Sequence, residues 1–267
     1  MTPKSRRCFP GEFVQVKFEK FDDIAVITID RPSRRNAVDR ETAEELVQAF
    51  SLFEQDTFLK VAILTGAESN FCAGADLKAF AEGRGNTISA SGNGPMGPTR
   101  MRLSKPVIAA IEGYCVAGGL ELALWADMRV ASSAAIFGVF CRRLGVPLID
   151  LGTIRLPRLI GQSRAMDLIL TGRSVAAKEG FEIGLVNRLV EPGEALSSSM
   201  QLAREIASFP QICMRQDRLS VYEQWSLSDE QAIENEINRG MESLRSHDAI
   251  DGATAFSEAR NWRHGKF

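Results

Sequence analysis

Glu121 stands three residues after Gly118 in the run Gly113-Tyr114-Cys115-Val116-Ala117-Gly118-Gly119-Leu120-Glu121. A carboxylate in the first turn of a helix that opens on two glycines can move a proton beside backbone N–H groups that have no helical acceptor. A second glycine turn, Phe71-Cys72-Ala73-Gly74-Ala75-Asp76, also leads into a helical pattern. Small side chains let a ligand approach the main chain closely. Two such turns aimed at one point make an oxyanion hole, whose donors stabilise negative charge developing on an oxygen. Taken singly, each turn is better explained as close strand-to-helix packing.

A further stretch, FGVFCRRLGVPLIDLGT from Phe137 to Thr153, offers a thiol and a carboxylate. Cys141 lies beside Arg142 and Arg143, which would favour a thiolate, yet an isolated cysteine in an apolar run is more often core filler. Asp150 is open to two readings, a working acid or a cap for a helix beginning near Thr153. The two histidines, His247 and His264, fall in the last 21 residues. A Ser-His-Asp or Cys-His hydrolase would therefore need a base from the tail, which argues against that class. The five cysteines form no CxxC pair and have no histidine at ligand spacing, so no metal site is expected. Their odd number points to free thiols in a reducing compartment, and a cytoplasmic location is expected.

The elements that must hold these residues alternate. FVQVKF from Phe13 and IAVITID read as strands, the second buried on both faces. The turn RPSRRNAVD follows, with Asp39 as the expected N-cap of an amphipathic helix from Arg40 to Gln55. VAILTG, PVIAAIEGY, MRVASS, IFGVF and LVNRLV read as further strands. Helices are expected from about Gly118 to Trp125, from near Gly161, and over SVAAKEGFEIG, capped by Ser174 and stopped by Gly184. Residues 82–99 hold five glycines and two prolines, a composition that fits either a mobile lid beside a ligand or a surface insertion. From Ala195 onward the pattern is helical. Repeated strand-strand-helix units with a helical tail predict an α/β spiral, with a core over 1–194 and a helical region over 195–267. No GxGxxG follows the first strand, which argues against a dinucleotide fold.

Composition narrows the partners. Lys and Arg number 32 against 34 Asp and Glu, a net charge of −2, so neither nucleic acid nor an anionic membrane is an expected partner. No apolar run approaches a membrane span, and the first thirty residues show no signal-peptide core. Arg6 and Arg7 belong to a short polar start read as a loose arm.

FCAGADL followed by GYCVAGGLELAL, with RPSRRNAVD before them and LTGRSVAAKEGFEIGLVNRLV after, resembles the crotonase superfamily, the enoyl-CoA hydratase/isomerase family. The resemblance runs from about Phe13 to the C terminus. It implies a crotonase-like spiral, a C-terminal trimerisation region, and a homotrimer or dimer of trimers. It also implies an acyl-CoA substrate, with coenzyme A arriving as part of the thioester and no separate cofactor. Carried over by position, it puts the oxyanion-hole donors on the N–H groups of Ala75 and Gly118. The CoA arm and thioester would lie along Ala73, Gly74 and Gly119, with Asp76 orienting its loop. Glu121 matches the first catalytic glutamate of the hydratases. The second falls on Cys141, a departure that leaves one carboxylate and puts simple hydration in question. Asp150 lies near an aspartate of the family's dienoyl-CoA isomerases. The expected activity is therefore hydration of a 2-enoyl-CoA through a thioester enolate, with enoyl- or dienoyl-CoA isomerisation by Glu121 and Asp150, or acyl-CoA binding without turnover, as alternatives.

Overall fold

The computed structural model describes residues 14–258. Phe13, the arm with Arg6 and Arg7, Cys8 and the tail with His264 lie outside the described residues. Strands β1 (Val16–Phe21) and β2 (Ile24–Ile29) form an antiparallel hairpin that turns through Asp22 at φ 55°. Strands β3 (Val61–Gly66) and β4 (Val107–Ile111) then add in parallel. After β5 (Tyr114–Val116) the chain returns to the main sheet as β6 (Met128–Ser132). It leaves again as β7 (Ile136–Gly138) and β8 (Val175–Ala176), and closes the main sheet with β9 (Arg188–Val190). The result is a six-stranded sheet of order β1-β2-β3-β4-β6-β9 and a three-stranded sheet of order β5-β7-β8. From β4 onward, successive turns of the chain contribute one strand to each sheet (β4 and β5, β6 and β7, β8 and β9), which is the expected strand-strand-helix spiral. The strands β2, β3 and β4 are buried almost end to end, which is why they read as continuous apolar runs.

Helix α1 (Arg40–Gln55) has the bounds expected from its periodicity, and the Asp39 carboxylate accepts from the N–H of Thr42 as its N-cap. Its apolar stripe buries Leu46, Ala49, Phe50 and Phe53. Helix α2 (Leu77–Ala81) is a single short turn capped by Asp76. Helix α3 (Gly118–Trp125) is buried along its whole length. The Phe50 ring meets Trp125 edge to face at 4.7 Å, which locks α1 against α3. Helices α4 (Gly152–Ile160), α5 (Gln162–Thr171) and α6 (Ala177–Glu182) complete the spiral. Helices α7 (Ala195–Ser208), α8 (Gln211–Glu223), α9 (Asp229–Leu244) and α10 (His247–Glu258) form the helical tail.

The chain divides into two compact units, the first through Ile206 and the second from Ala207. The start of α7 is tied to the first unit, where the Glu112 carboxylate accepts from the Ala195 N–H at 3.1 Å. Within the second unit, the Glu223 carboxylate joins α8 to α9 through Asn235 and Arg239.

Several local expectations are corrected. The first strand begins at Val16, and Val14 is 78% exposed. PVIAAIEGY is two strands broken at Gly113, which has φ 48° and where a Cβ would lie 2.1 Å from the Ser69 carbonyl oxygen. IFGVF stops at Gly138, and Phe140–Leu144 is a 3-10 helix, so Cys141 is not on a strand. The helix expected from near Gly161 is found as α5, which begins at Gln162; α4 precedes it as a separate helix, with Gly161 at φ 84° between them. Ser174 does not cap α6. Val175 pairs with Phe137 in the small sheet, and this long-range pairing overrides the local cap signal.

Candidate active site

Residues 71–76 gain their shape by lacing to neighbours on both sides. Cys72 donates to the Tyr114 carbonyl and accepts from Val116, pairing with β5. Ala73 donates to Arg35, Val38 donates to Gly74, and Asp76 donates to Val38. Gly74 sits at φ 100°, and a Cβ there would lie 2.9 Å from the Ala117 Cβ and 3.0 Å from the Gly118 nitrogen. The two glycine turns therefore meet, and only a residue without a side chain fits between them. Ala117 caps α3 at φ 51°, an uncommon conformation for alanine, and from it Gly118 begins the helix. Gly119 packs so closely that a Cβ would fall 2.1 Å from the Cys72 carbonyl oxygen. Among the described residues the N–H groups of Ala75 and Gly118 find no acceptor. They are free to donate to a ligand oxygen.

Two residues of the RPSRRNAVD turn, overlooked in the sequence, hold this backbone. The Arg31 guanidinium bridges the Asp39 and Asp76 carboxylates at 2.7 and 3.0 Å and also donates to the Ala37 carbonyl. It thereby joins the N-caps of α1 and α2 beside Ala75. Burial pushes the Asp76 carboxyl up, but the Ala79 N–H and the Arg31 charge outweigh it and hold the group below its usual value. Asp76 thus faces α2 and Arg31. Asn36 is fully buried at φ 56°, and its amide donates to the carbonyls of Ala67 and Asn70, tying the end of β3 to the approach to Phe71.

The carboxylate side is built differently. Glu121 is 2% exposed, and its Oε1 accepts from the N–H groups of Asp150 at 2.9 Å and Gly152 at 2.8 Å. Leu151, between these donors, has φ 68°, and this left-handed turn aims both N–H groups at one oxygen. A Cβ at Gly152 would lie 2.7 Å from Glu121 Oε1, so glycine admits the carboxylate. Burial first, and then the Asp150 charge, push the Glu121 carboxyl up to about 7; the Gly152 and Asp150 N–H groups and Arg155 oppose the shift. A group balanced near neutrality takes and returns a proton at similar cost.

Asp150 does not cap α4, whose N-cap is Leu151. Its Oδ1 accepts from the Met96 N–H at 2.9 Å and from the Thr99 hydroxyl. Burial raises the Asp150 carboxyl, opposed by Thr99, Met96, Arg100 and Arg155. Cys141 is 7% exposed, and burial together with the Glu121 charge push its thiol up, so the adjacent arginines do not make a thiolate. Arg142 donates to the Ile169 carbonyl, while Arg143 donates to Gly172 and stacks on Phe140.

The glycine-rich segment 82–99 divides in two. Arg84–Ser91 is largely exposed, whereas Gly94–Thr99 is buried. Met96 is 1% exposed and lies over Gly118, where a Cβ would meet its sulfur at 2.7 Å. Met96 and Thr99 join the site from a stretch whose composition signals only irregular structure. Among the described residues no three His, Cys, Asp or Glu side chains gather as a metal site.

The sequence and fold are similar to those of known proteins. The family model for enoyl-CoA hydratase/isomerase matches residues 19–266. Enoyl-CoA hydratase EchA19 of Mycobacterium tuberculosis is 35% identical over 243 residues, covering 88% of this chain and 90% of that protein. Carnitinyl-CoA dehydratase of Salmonella arizonae is 37% identical over 248 residues, covering 89% and 93%. The crystal structure of enoyl-CoA hydratase EchA1 from Mycobacterium marinum superposes with a TM-score of 0.87 at 37% identity, covering 92% of this chain and 96% of that one. With paired glycine turns, a spiral of two sheets and a match over nearly its whole length, the chain belongs to the enoyl-CoA hydratase/isomerase family and has the crotonase fold.

Proposed function

We propose that this hydratase-like enzyme adds water to a 2-enoyl-CoA, and removes it in reverse, with Glu121 as the group that moves the proton. The observation that carries this reading is the buried Glu121 carboxylate, held through one oxygen by Asp150 and Gly152, one turn into the helix that begins at Gly118. In this reading the thioester oxygen accepts from the N–H groups of Ala75 and Gly118. Glu121 takes a proton from water as the water oxygen bonds to the β-carbon, and the π electrons move onto the thioester oxygen as an enolate. The enolate collapses as Glu121 returns the proton to the α-carbon, so atoms and charge balance over the cycle. The hole favours the enolate over the ground-state thioester, which is what accelerates the reaction. Ala73, Gly74 and Gly119 would border the thioester and the CoA arm, and Cys141 would line the acyl end as a neutral thiol. No bound cofactor enters this cycle.

Isomerisation of a 3-enoyl-CoA is the second reading, favoured by Cys141 as a thiol where the resemblance puts a second glutamate. Moving a proton between two carbons of one substrate needs one principal base, with Asp150 assisting it in this second reading. Crotonyl-CoA and a 3-hexenoyl-CoA offered separately to the pure protein decide between them. Formation of 3-hydroxybutyryl-CoA from the first supports hydration, and conversion of the second to the conjugated ester without hydration supports isomerisation. Tight binding of both with no product would leave an acyl-CoA binder.

We also place the protein in a reducing, cytoplasmic setting as a homotrimer or dimer of trimers. Buried free thiols at Cys72, Cys115 and Cys141 support the first inference. Exposed Val221, Tyr222, Trp225, Ile233, Ile237 and Met241 on and between α8 and α9 support the second. No described helix is long and apolar enough to cross a membrane.

A further inference from the structure

Two buried carboxylates, Glu121 and Asp150, meet in this site, and the structure gives them different partners. Asp150 sits at a junction. Its main-chain N–H donates to Glu121 Oε1 at 2.9 Å, while its side-chain Oδ1 accepts from the Met96 N–H and the Thr99 hydroxyl. Arg155 reinforces the same junction from α4, donating to the Asp150 carbonyl at 3.2 Å and the Thr99 carbonyl at 2.7 Å. Gly94 packs against it, since a Cβ there would lie 2.6 Å from Asp150 Oδ1. Both donors sit on Oδ1 and favour the ionised carboxylate, so a proton taken anywhere on the group would weaken Oδ1 as an acceptor and loosen the bonds that hold the chain.

We propose that Asp150 is a positioning residue, a fixed charge and latch that acts through Glu121 and carries none of the reaction's protons itself. The proposal rests on the reading of Glu121 as the base and deepens it. Two carboxylates shielded from water do not both ionise readily, and the charge settles where donors are strongest. Around Asp150 these are the Thr99 hydroxyl, the Met96 N–H and the charges of Arg100 and Arg155. Facing Glu121 are Asp150 and Arg155 from the 150–155 stretch and the neutral Cys141 thiol from the 3-10 helix. The anion on Asp150 repels a second charge on Glu121, so Glu121 keeps its proton to higher pH and can return it to a carbon. The latch also fixes geometry, because the residue that orients the base fastens the Met96–Thr99 wall over Gly118.

The direct test is a carbon-13 NMR titration of the protein labelled at glutamate side-chain carboxyls, with the Glu121 signal identified by its loss in Glu121→Gln. Asp150→Asn keeps an oxygen for Met96 and Thr99 but removes the charge. The Glu121 midpoint should then fall by about one pH unit or more. Thr99→Val should move it the same way by less, since Asp150 then holds its charge less firmly, and this variant carries the test if Asp150→Asn does not fold. A midpoint that stays in place or rises in the folded variants overturns the proposal. Turnover of crotonyl-CoA by Asp150→Asn should persist, with the acid limb of its pH profile moved to lower pH. Abolished turnover at every pH with crotonyl-CoA still bound would make Asp150 a proton carrier and overturn it as well. Full turnover by Glu121→Gln would sink the base reading alone, because the titration reads the coupling of the two groups without any reaction.

Discussion

The two sides of the site are made of different material. The proposed oxyanion side is main chain, from residues 73–76 and 117–119, fixed by bridges to Val38, Cys115 and Gly138 and clamped by Arg31 and Asn36. The carboxylate side is side chain, with Glu121 from α3, Asp150 from the turn before α4, Met96 and Thr99 from an irregular loop, and Cys141 from a 3-10 helix. A backbone site is set by where glycine is required. A side-chain site is set by long-range contacts, and its chemistry depends on how burial and charge are shared. The first should therefore fail by steric or structural damage, and the second by changes in proton affinity.

Breaking the clamp should have the largest structural effect. Arg31→Met strands two buried carboxylates, Asp39 and Asp76, and should lower stability by about 3 kcal/mol in denaturant titrations. If Arg31 also orients Ala75, kcat falls with little change in KM; equal stability would show that the clamp is not structural.

On the carboxylate side the effect should appear as a pH dependence. The folded Glu121 carboxyl sits at about 7, above its usual value of 4.5. The unfolded chain therefore releases this proton first, and the stability it contributes is complete below about 4.5 and lost as pH rises through 7. Glu121→Gln should gain about 2 kcal/mol relative to the parent between pH 5 and pH 8. Turnover should run the other way, rising with pH through about 7 as the base ionises. Thermal melts and rate profiles over the same pH range measure both signs.

The neighbouring glycines sharpen the comparison. Gly119→Ala drives a Cβ to 2.1 Å from a backbone oxygen of Cys72, and should cost about 2 kcal/mol. Gly118→Ala meets only the flexible Met96 thioether, so its stability loss should be smaller while turnover still falls. Smallest of all is Ile88→Ser in the exposed half of the glycine-rich segment, with a change within about 0.5 kcal/mol.

The same contrast explains what could be read from the residues alone. The parallel strands, α1 with its Asp39 cap, α3 and the paired glycine turns were legible because apolar runs, amphipathic spacing and glycine report local geometry. The break at Gly113, the short β8 and the 3-10 helix at Cys141 were not, because contacts with Ser69, Phe137 and the chain beyond decide them. Glu121 announced itself by its distance from Gly118. Its union with Asp150, Thr99 and Met96 spans up to 54 residues of sequence, and no local pattern encodes it. Arg31 and Asn36 stood in a turn already singled out, but only the fold reveals that one bridges two helix caps and the other knots β3 to Phe71.

In the proposed mechanism one buried carboxylate, Glu121, moves the proton at an oxyanion hole built from backbone. The most direct measurement is kcat for crotonyl-CoA hydration by Glu121→Gln beside the parent, with acyl-CoA affinity determined for both by calorimetry. With Glu121 as the base, kcat should fall by about a thousandfold while affinity stays nearly unchanged. Turnover within a few fold of the parent would contradict it and move the proton to another group.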